Sequence, residues 1–240
     1  MSDKKIIAYY DAFAATQAST GVNERIFSLY RRMKKLGLNN YSTVLELGCG
    51  IGALSSLLTR TVKQGTIEAV DISGQSVEVC RRQISNKQIS FYTADIISYT
   101  PTLTSPDFIT LFDVIEHIPL ERHGELFRNL SGIASTNSLI LINIPNPYYL
   151  EYDQVHHPET LQVVDQPVHL PALAAHCHNN GLDIVFMEEY SIWVENDYRF
   201  FILRKQQPFR EVFLKDRRTF IQKVINRLRR NWMHFRYRYP

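Results

Sequence analysis

The chain is expected to form an α/β domain built on a doubly wound sheet, and three observations say so. Strand-length apolar runs alternate with helix-length amphipathic segments between residues 42 and 145. The first of these runs opens directly into a glycine-rich turn, and acidic residues follow the second and third. At 240 residues, 45% apolar and 12% aromatic, the chain is long enough for one substantial core with appendages.

Each element has its own signal. STVLEL (42–47) reads as a short buried strand, GALSSLLTRTV (52–62) as a helix, GTIEAVDI (65–72) as a second strand and SGQSVEVCRRQIS (73–85) as a second helix. ISFYTADI (89–96) and DFITLFDV (107–114) follow as strands, then LERHGELFRNLSGIA (120–134) as a helix and SLILINIP (138–145) as the fifth strand. LPALAAHCHNNG (170–181) is a helix closed by Asn180-Gly181, and LDIVFMEEY and YRFFILRK are two further strands. Before the sheet, residues 4–18 and 23–36 read as amphipathic helices, the second with Ile26, Leu29, Tyr30, Met33 and Leu36 on one face. Between strand five and the next helix, residues 146–169 form a long segment rich in aromatics, His and Pro, of the kind that covers an active site.

Charge divides the chain in two. Residues 204–240 hold 12 Lys/Arg against Glu211 and Asp216, a net of +10, so residues 1–203 hold 15 Lys/Arg and 22 Asp/Glu, a net of −7. The expected organisation is an acidic domain over 1–206, with a helical lid at 1–40 and a substrate cap at 146–169, followed by a basic amphipathic helix over 207–240. Cys49, Cys80 and Cys177 are odd in number and widely spaced, which fits reduced thiols rather than a disulfide framework or zinc knuckle. There is no apolar run of membrane-spanning length and no signal-peptide pattern, so a cytoplasmic protein is expected.

The stretch VLELGCGIGA (44–53) carries the first chemistry. Gly48, Gly50 and Ala53 satisfy a dinucleotide fingerprint, and Gly48, Gly50 and Gly52 satisfy G-x-G-x-G; both place backbone against a ligand at a helix N-terminus. Glu46 discriminates between them. A carboxylate ~5 Å from a pyrophosphate would cost roughly 3 kcal/mol per charge at an effective dielectric of about 20, whereas for a cationic ligand the same interaction is favourable. A NAD site is thereby disfavoured. Asp71 closes the second strand where a carboxylate can accept from both ribose hydroxyls, or can instead cap the next helix.

The run Glu46-Leu47-Gly48-Cys49-Gly50-Ile51-Gly52 resembles the first motif of the class I S-adenosylmethionine-dependent methyltransferases, and strand order over roughly 40–190 resembles their seven-stranded Rossmann-like sheet. The resemblance implies S-adenosylmethionine as cofactor, with Glu46, Gly48, Cys49, Gly50 and Gly52 along its methionine part. It implies Asp71 and Ile72 at the ribose, Asp95 and Ile96 at the adenine, and Phe112 near either portion. AYYDAFA resembles the lid helices of small-molecule members and brings Tyr10 to the cofactor.

Methyl transfer to a hydroxyl is helped by a base near neutral pKa. DVIEHI resembles the segment after strand four in ubiquinone-biosynthesis and sugar O-methyltransferases, and DQPVHLPALAAHCHNNGLDI resembles their later segment. His117 and His169, with Glu116, are thereby the candidate catalytic residues. Glu116 and His117 as loop-orienting groups, and His169 as a helix cap, are the structural alternatives. Asp113, Glu116, His117 and His169 also form a set that suits a divalent ion, although Asp113 stands where related methyltransferases have Glu; our reading assigns no metal.

Function at this stage reads as O-methylation of a small molecule such as a sugar, lipid-linked glycan or quinone precursor. An RNA acceptor is less attractive because of the −7 charge, and a non-catalytic cofactor-binding scaffold is the remaining alternative. Phe213, Phe220, Val224, Leu228, Trp232 and Phe235 recur at helical spacing in the basic tail. Residues 209–236 are therefore expected to meet an anionic membrane surface, giving peripheral attachment at the inner membrane face, with RNA binding or domain packing as alternatives.

Overall fold

A computed structural model describes residues 8–12, 21–162, 164–211 and 218–237. The chain divides into two compact units, 1–206 and 207–240.

The first unit is a seven-stranded sheet in the order β3-β2-β1-β4-β5-β7-β6. Its strands are β1 (Thr43–Leu47), β2 (Thr66–Asp71), β3 (Ile89–Thr93), β4 (Phe108–Phe112), β5 (Leu139–Pro145), β6 (Leu182–Tyr190) and β7 (Tyr198–Lys205). β1 to β5 pair in parallel, and β7 is inserted antiparallel between β5 and β6. The central strands are buried on both faces, which is why TVLEL, FITLF and LILINIP read as near-continuous apolar runs, interrupted only by Thr43, Glu46, Thr110 and Asn143.

Helices α1 (Glu24–Lys35), α2 (Ala53–Thr61), α3 (Gly74–Gln83), α4 (His123–Ile133), α5 (Pro147–His156) and α6 (Leu170–Asn179) complete the unit. Asn23 caps α1 by accepting from the Ile26 N–H at 2.9 Å. The expected stripe holds: Leu29 and Met33 are fully buried, with Ile26, Tyr30 and Leu36 packed against the same core cluster. Residues 120–134 begin with a 3-10 turn, Leu120–Arg122, and the α-helix starts only at His123. Of the expected first helix, residues 8–12 are helical and the rest lies outside the described residues.

Reversal of strand order between β1 and β4 opens a crevice at the carboxyl edge, where such sheets bind ligands. The expected cap is not one long loop. Asn146 caps α5 through the Tyr148 N–H at 3.1 Å, and a 3-10 turn follows at Pro158–Thr160.

The second unit contains α7 (Phe220–Arg236), which begins at a capping box of Thr219 and Gln222. Phe213 of the expected apolar stripe lies outside the described residues. No helix of the described residues is long and apolar enough to cross a membrane.

Candidate active site

A cleft of about 680 Å³ opens at the switch point, and the glycine loop forms its floor. Gly48, Gly50 and Gly52 all have positive φ, +80°, +51° and +85°. A Cβ on Gly48 would lie 2.3 Å from Val114 Cγ2, so this position needs glycine for space as well as for conformation. Gly52 is the N-cap of α2 without any side-chain cap, which leaves the first N–H groups of that helix for another acceptor.

Asp71 holds this loop in place. One carboxylate oxygen accepts from the Gly50 N–H at 2.7 Å and the other from the Ser73 N–H at 2.8 Å. Capping of α3 falls to Ser73, whose hydroxyl accepts from the Ser76 N–H, so the cap alternative for Asp71 is set aside. Burial raises the Asp71 pKa from its ordinary value. The hydroxyl of Ser73 donates to Asp11, which ties the helical residues 8–12 to this corner and brings Tyr10 to the cleft wall.

Ten of the expected residues reach the cleft: Tyr10, Gly48, Cys49, Gly50, Asp71, Ile72, Asp95, Ile96, Phe112 and His117. Glu46, Gly52, Glu116 and His169 are not on its wall. Glu46 is a correction to the expectation that its carboxylate points into the main site. It is buried beneath the loop, accepts from the Ser55 hydroxyl at 2.6 Å and lines a smaller cavity of about 50 Å³ that shares Gly48, Cys49, Ala53 and Phe112 with the cleft. Burial pushes its pKa up to about 8.

The carboxylates on the wall are Asp71, Asp95 and Asp113. Asp95 accepts from the Ile97 N–H at 3.0 Å and pairs with Arg122 at 3.2 Å. Asp113, in the left-handed region at φ +57°, pairs with Arg25 Nε at 3.0 Å and accepts from Asn143 Nδ2 at 3.0 Å. Arg25 and Arg122 are each matched by one wall carboxylate and His117 by Asp165, so Asp71 is left to supply net negative character. That balance suits a ligand carrying an ammonium and a sulfonium far better than a pyrophosphate.

His117 is the chemical centre of the opposite wall. It sits in the 3-10 turn Ile115–His117 after β4, and its imidazole is 13% exposed. Its Nδ1 faces the Val164 carbonyl at 2.7 Å and Asp165 Oδ1 at 2.8 Å, so a proton is fixed on this nitrogen and, in the neutral ring, the lone pair is on Nε2. Burial disfavours the charged ring, but Glu116, Asp165 and the Val164 carbonyl outweigh it and hold the pKa up at about 9. The Tyr10 ring lies 5.9 Å from the imidazole, and its hydroxyl is buried with no partner among the described residues.

Glu116 lies off the cleft wall, next to His117. It is 1% exposed, with neither carboxylate oxygen hydrogen-bonded among the described residues and its nearer oxygen 4.0 Å from His117 Nε2; desolvation pushes its pKa up to about 8. The buried Glu68 shows what a purely structural carboxylate looks like here: it accepts from the Tyr99 hydroxyl and the Thr102 N–H. His169 is a second correction. It pairs with Glu151 at 2.9 Å, packs edge-on to Tyr148 and occupies the N-cap of α6 without capping it through its side chain. The set Asp113, Glu116, His117 and His169 is therefore divided among different partners, and among the described residues no group of three or more His, Cys, Asp or Glu side chains is arranged to hold a metal.

Sequence reasoning missed Arg25, Arg122, Gln162 and Asp165. The first three line the cleft and the fourth orients His117. Asp165 had a local signal, since it stands within the cap segment three residues after Gln162 and accepts that residue's N–H at 2.7 Å.

The family model for a methyltransferase domain matches residues 16–186. Among curated proteins, a malonyl-[acyl-carrier protein] O-methyltransferase of Halalkalibacterium halodurans is 25% identical over 171 residues, 68% of this chain and 62% of that protein. The corresponding enzyme of Priestia megaterium is 30% identical over 87 residues, 36% of this chain and 30% of that protein. The mitochondrial ubiquinone biosynthesis O-methyltransferase of Candida albicans is 27% identical over 115 residues, 46% of this chain and 35% of that protein. The matches thus span less than two thirds of each of these relatives. Among solved structures, magnesium protoporphyrin IX methyltransferase from Synechocystis PCC 6803 with bound S-adenosylhomocysteine superposes with a TM-score of 0.66 at 17% identity, covering 85% of this chain and 99% of that one. With the glycine loop, the seven-stranded sheet and the family match in agreement, the chain belongs to the methyltransferase-domain family, on the class I fold that takes S-adenosylmethionine as methyl donor.

Proposed function

We propose that this protein transfers the methyl group of S-adenosylmethionine to a hydroxyl oxygen of a small-molecule or carrier-bound acceptor, with His117 as general base. The observation that carries the reading is the imidazole on the cleft wall with its Nδ1 proton committed to Asp165 and the Val164 carbonyl. In the neutral ring, whose share grows as pH rises toward about 9, Nε2 is thereby left to take the acceptor's proton. S-adenosylmethionine supplies, when bound, a methyl carbon already activated by its sulfonium. The protein's part is to hold the acceptor in line, exclude water with the apolar wall of Phe112, Val114 and Ile118, and remove one proton. A carboxylate acceptor would need no base, so the His117 arrangement favours a hydroxyl. Asp71, Asp95 and the loop Gly48 to Gly50 would hold the donor, and Arg25, Gln162 and His117 face the acceptor side.

Relatives named for a malonyl-carrier protein and a ubiquinone precursor support O-methylation of small or carrier-bound molecules. The net charge of −7 over residues 1–203 disfavours RNA. Within the small-molecule class we favour a lipid-linked glycan or quinone precursor met at an anionic membrane surface, with a free sugar as the soluble variant. The test is transfer of labelled methyl groups from S-adenosylmethionine into an extract separated into lipid, aqueous small-molecule, protein and RNA pools. Label in the lipid or small-molecule pool, lost with His117→Asn, is the expected result. Label confined to RNA would overturn the acceptor class, and donor binding without label in any pool would point to a scaffold.

A further inference from the structure

Helix α7 is encoded locally: Gln222 N–H meets the Thr219 hydroxyl at 3.3 Å, and Thr219 N–H meets Gln222 Oε1 at 2.9 Å. At 100° per residue, Phe220, Ile221, Val224, Leu228, Trp232 and Phe235 share an arc of roughly 120°. All six are exposed, from 42% to 81%, and no residue of the helix is buried. Arg229 and Arg236 fall on one edge of this arc and Arg227 on the other. Residues 218–237 contain six Lys/Arg and no Asp or Glu.

From these features we infer that α7 is an in-plane anchor for an anionic lipid surface. The apolar arc enters the acyl boundary, and the flanking guanidiniums reach the phosphates at its edges. Two other occupants satisfy only half of the helix. A second copy of α7 would cover the apolar arc but bring five Lys/Arg of one helix to five of the other, with no Asp or Glu within Phe220–Arg236. A nucleic acid would meet the cations and leave Trp232, Leu228 and Phe235 in water. Anionic lipid matches both sides at once. This inference does not depend on the methyl-transfer reading and stands or falls apart from it.

Cosedimentation of the full-length protein with vesicles provides the test, using phosphatidylcholine alone and phosphatidylcholine with phosphatidylglycerol. Binding is expected only to the second, weakening as salt is raised. Arg229→Gln with Arg230→Gln should lower partitioning on the order of tenfold or more. Leu228→Asp with Trp232→Asp should abolish it, while S-adenosylhomocysteine binding measured by calorimetry stays unchanged and reports an intact first unit. No cosedimentation, or equal binding by the Leu228→Asp/Trp232→Asp variant, overturns the inference. So does a dimer in light scattering that this variant splits without any vesicle binding, or an oligonucleotide mobility shift that survives it.

Discussion

The two walls of the cleft are built on different principles. The donor wall, from β1 to β3, is made by backbone: three glycines at positive φ, two N–H groups on Asp71 and an uncapped helix N-terminus. The opposite wall, which we propose faces the acceptor, is made by side chains that arrive from far apart in sequence, with His117 after β4 meeting Asp165 of the cap and Arg25 of α1 meeting Asp113. Backbone sites tolerate little change and serve any enzyme with the same donor. Side-chain sites can be rebuilt residue by residue, which is how one fold comes to serve many acceptors.

The sharpest way to break this comparison is at His117. If the imidazole acts on the acceptor as proposed, His117→Asn should lower methyl transfer by about 10²–10⁴-fold while donor binding changes far less. With the His117 pKa held at about 9, the base form grows as pH rises through that value, so wild-type turnover should increase between pH 7 and 9. Asp165 helps to hold that pKa up, so Asp165→Asn should move the rising limb to lower pH as well as reduce the rate. An unchanged pH profile in this variant would show that Asp165 only packs against the ring.

Next in size is the donor wall itself. Gly48→Ala puts a methyl group 2.3 Å from Val114 Cγ2 in a left-handed conformation. Strain of ~1–2 kcal/mol and overpacking of ~1–3 kcal/mol should both appear as a lower denaturation midpoint, together with weaker S-adenosylhomocysteine binding. Gly132→Ala is the contrast. Gly132 lies near the end of α4 with no atom within 4 Å of its added Cβ, so the same substitution should stabilise by up to about 1 kcal/mol. Equal effects at the two sites would remove the claim that the loop glycines are set by geometry.

The donor wall could be read in advance because its determinants are local: a strand, a glycine spacing and an acid at the next strand end fall within thirty or so residues, and backbone requirements leave a fixed spelling. Strand and helix positions came from the same kind of local periodicity. Glu46 shows the limit even there, since spacing gave its identity but not its depth, and burial beneath the loop changes its ionisation. The acceptor wall was half legible. DVIEHI drew attention to His117, but nothing in its neighbourhood specifies that Asp165, 48 positions on, supplies the partner, or that His169 turns instead to Glu151. Arg25 was hidden because a single Arg at the start of an amphipathic helix looks like a solvated charge until Asp113, Tyr198 and Trp193 close around it.

Glu46 gives the most direct test of the donor wall's electrostatics. Its pKa of about 8 means that the free protein holds a proton there at neutral pH. If a donor cation sits ~5 Å away across the shared loop, it would favour the ionised form by about 3 kcal/mol at an effective dielectric of about 20, while removing the proton at pH 7 costs about 1.4 kcal/mol. The net gain predicts that Glu46→Gln weakens donor binding about tenfold at pH 7, more at pH 9 and hardly at all at pH 6. Calorimetry in buffers of different ionisation enthalpy should register release of a proton on binding in the wild type and a smaller release in the variant. Stability gives the complementary sign. An acid whose folded pKa is raised contributes stability that is fully present below its unfolded pKa of 4.5 and is lost as pH rises through about 8. The donor-free wild type should therefore melt at progressively lower temperature between pH 5 and 8. Glu46→Gln should flatten that slope without abolishing it, because Glu116 is shifted in the same direction. A slope identical in both proteins would place Glu46 among ordinary solvated carboxylates and leave the preference of this wall for a cation to Asp71 alone.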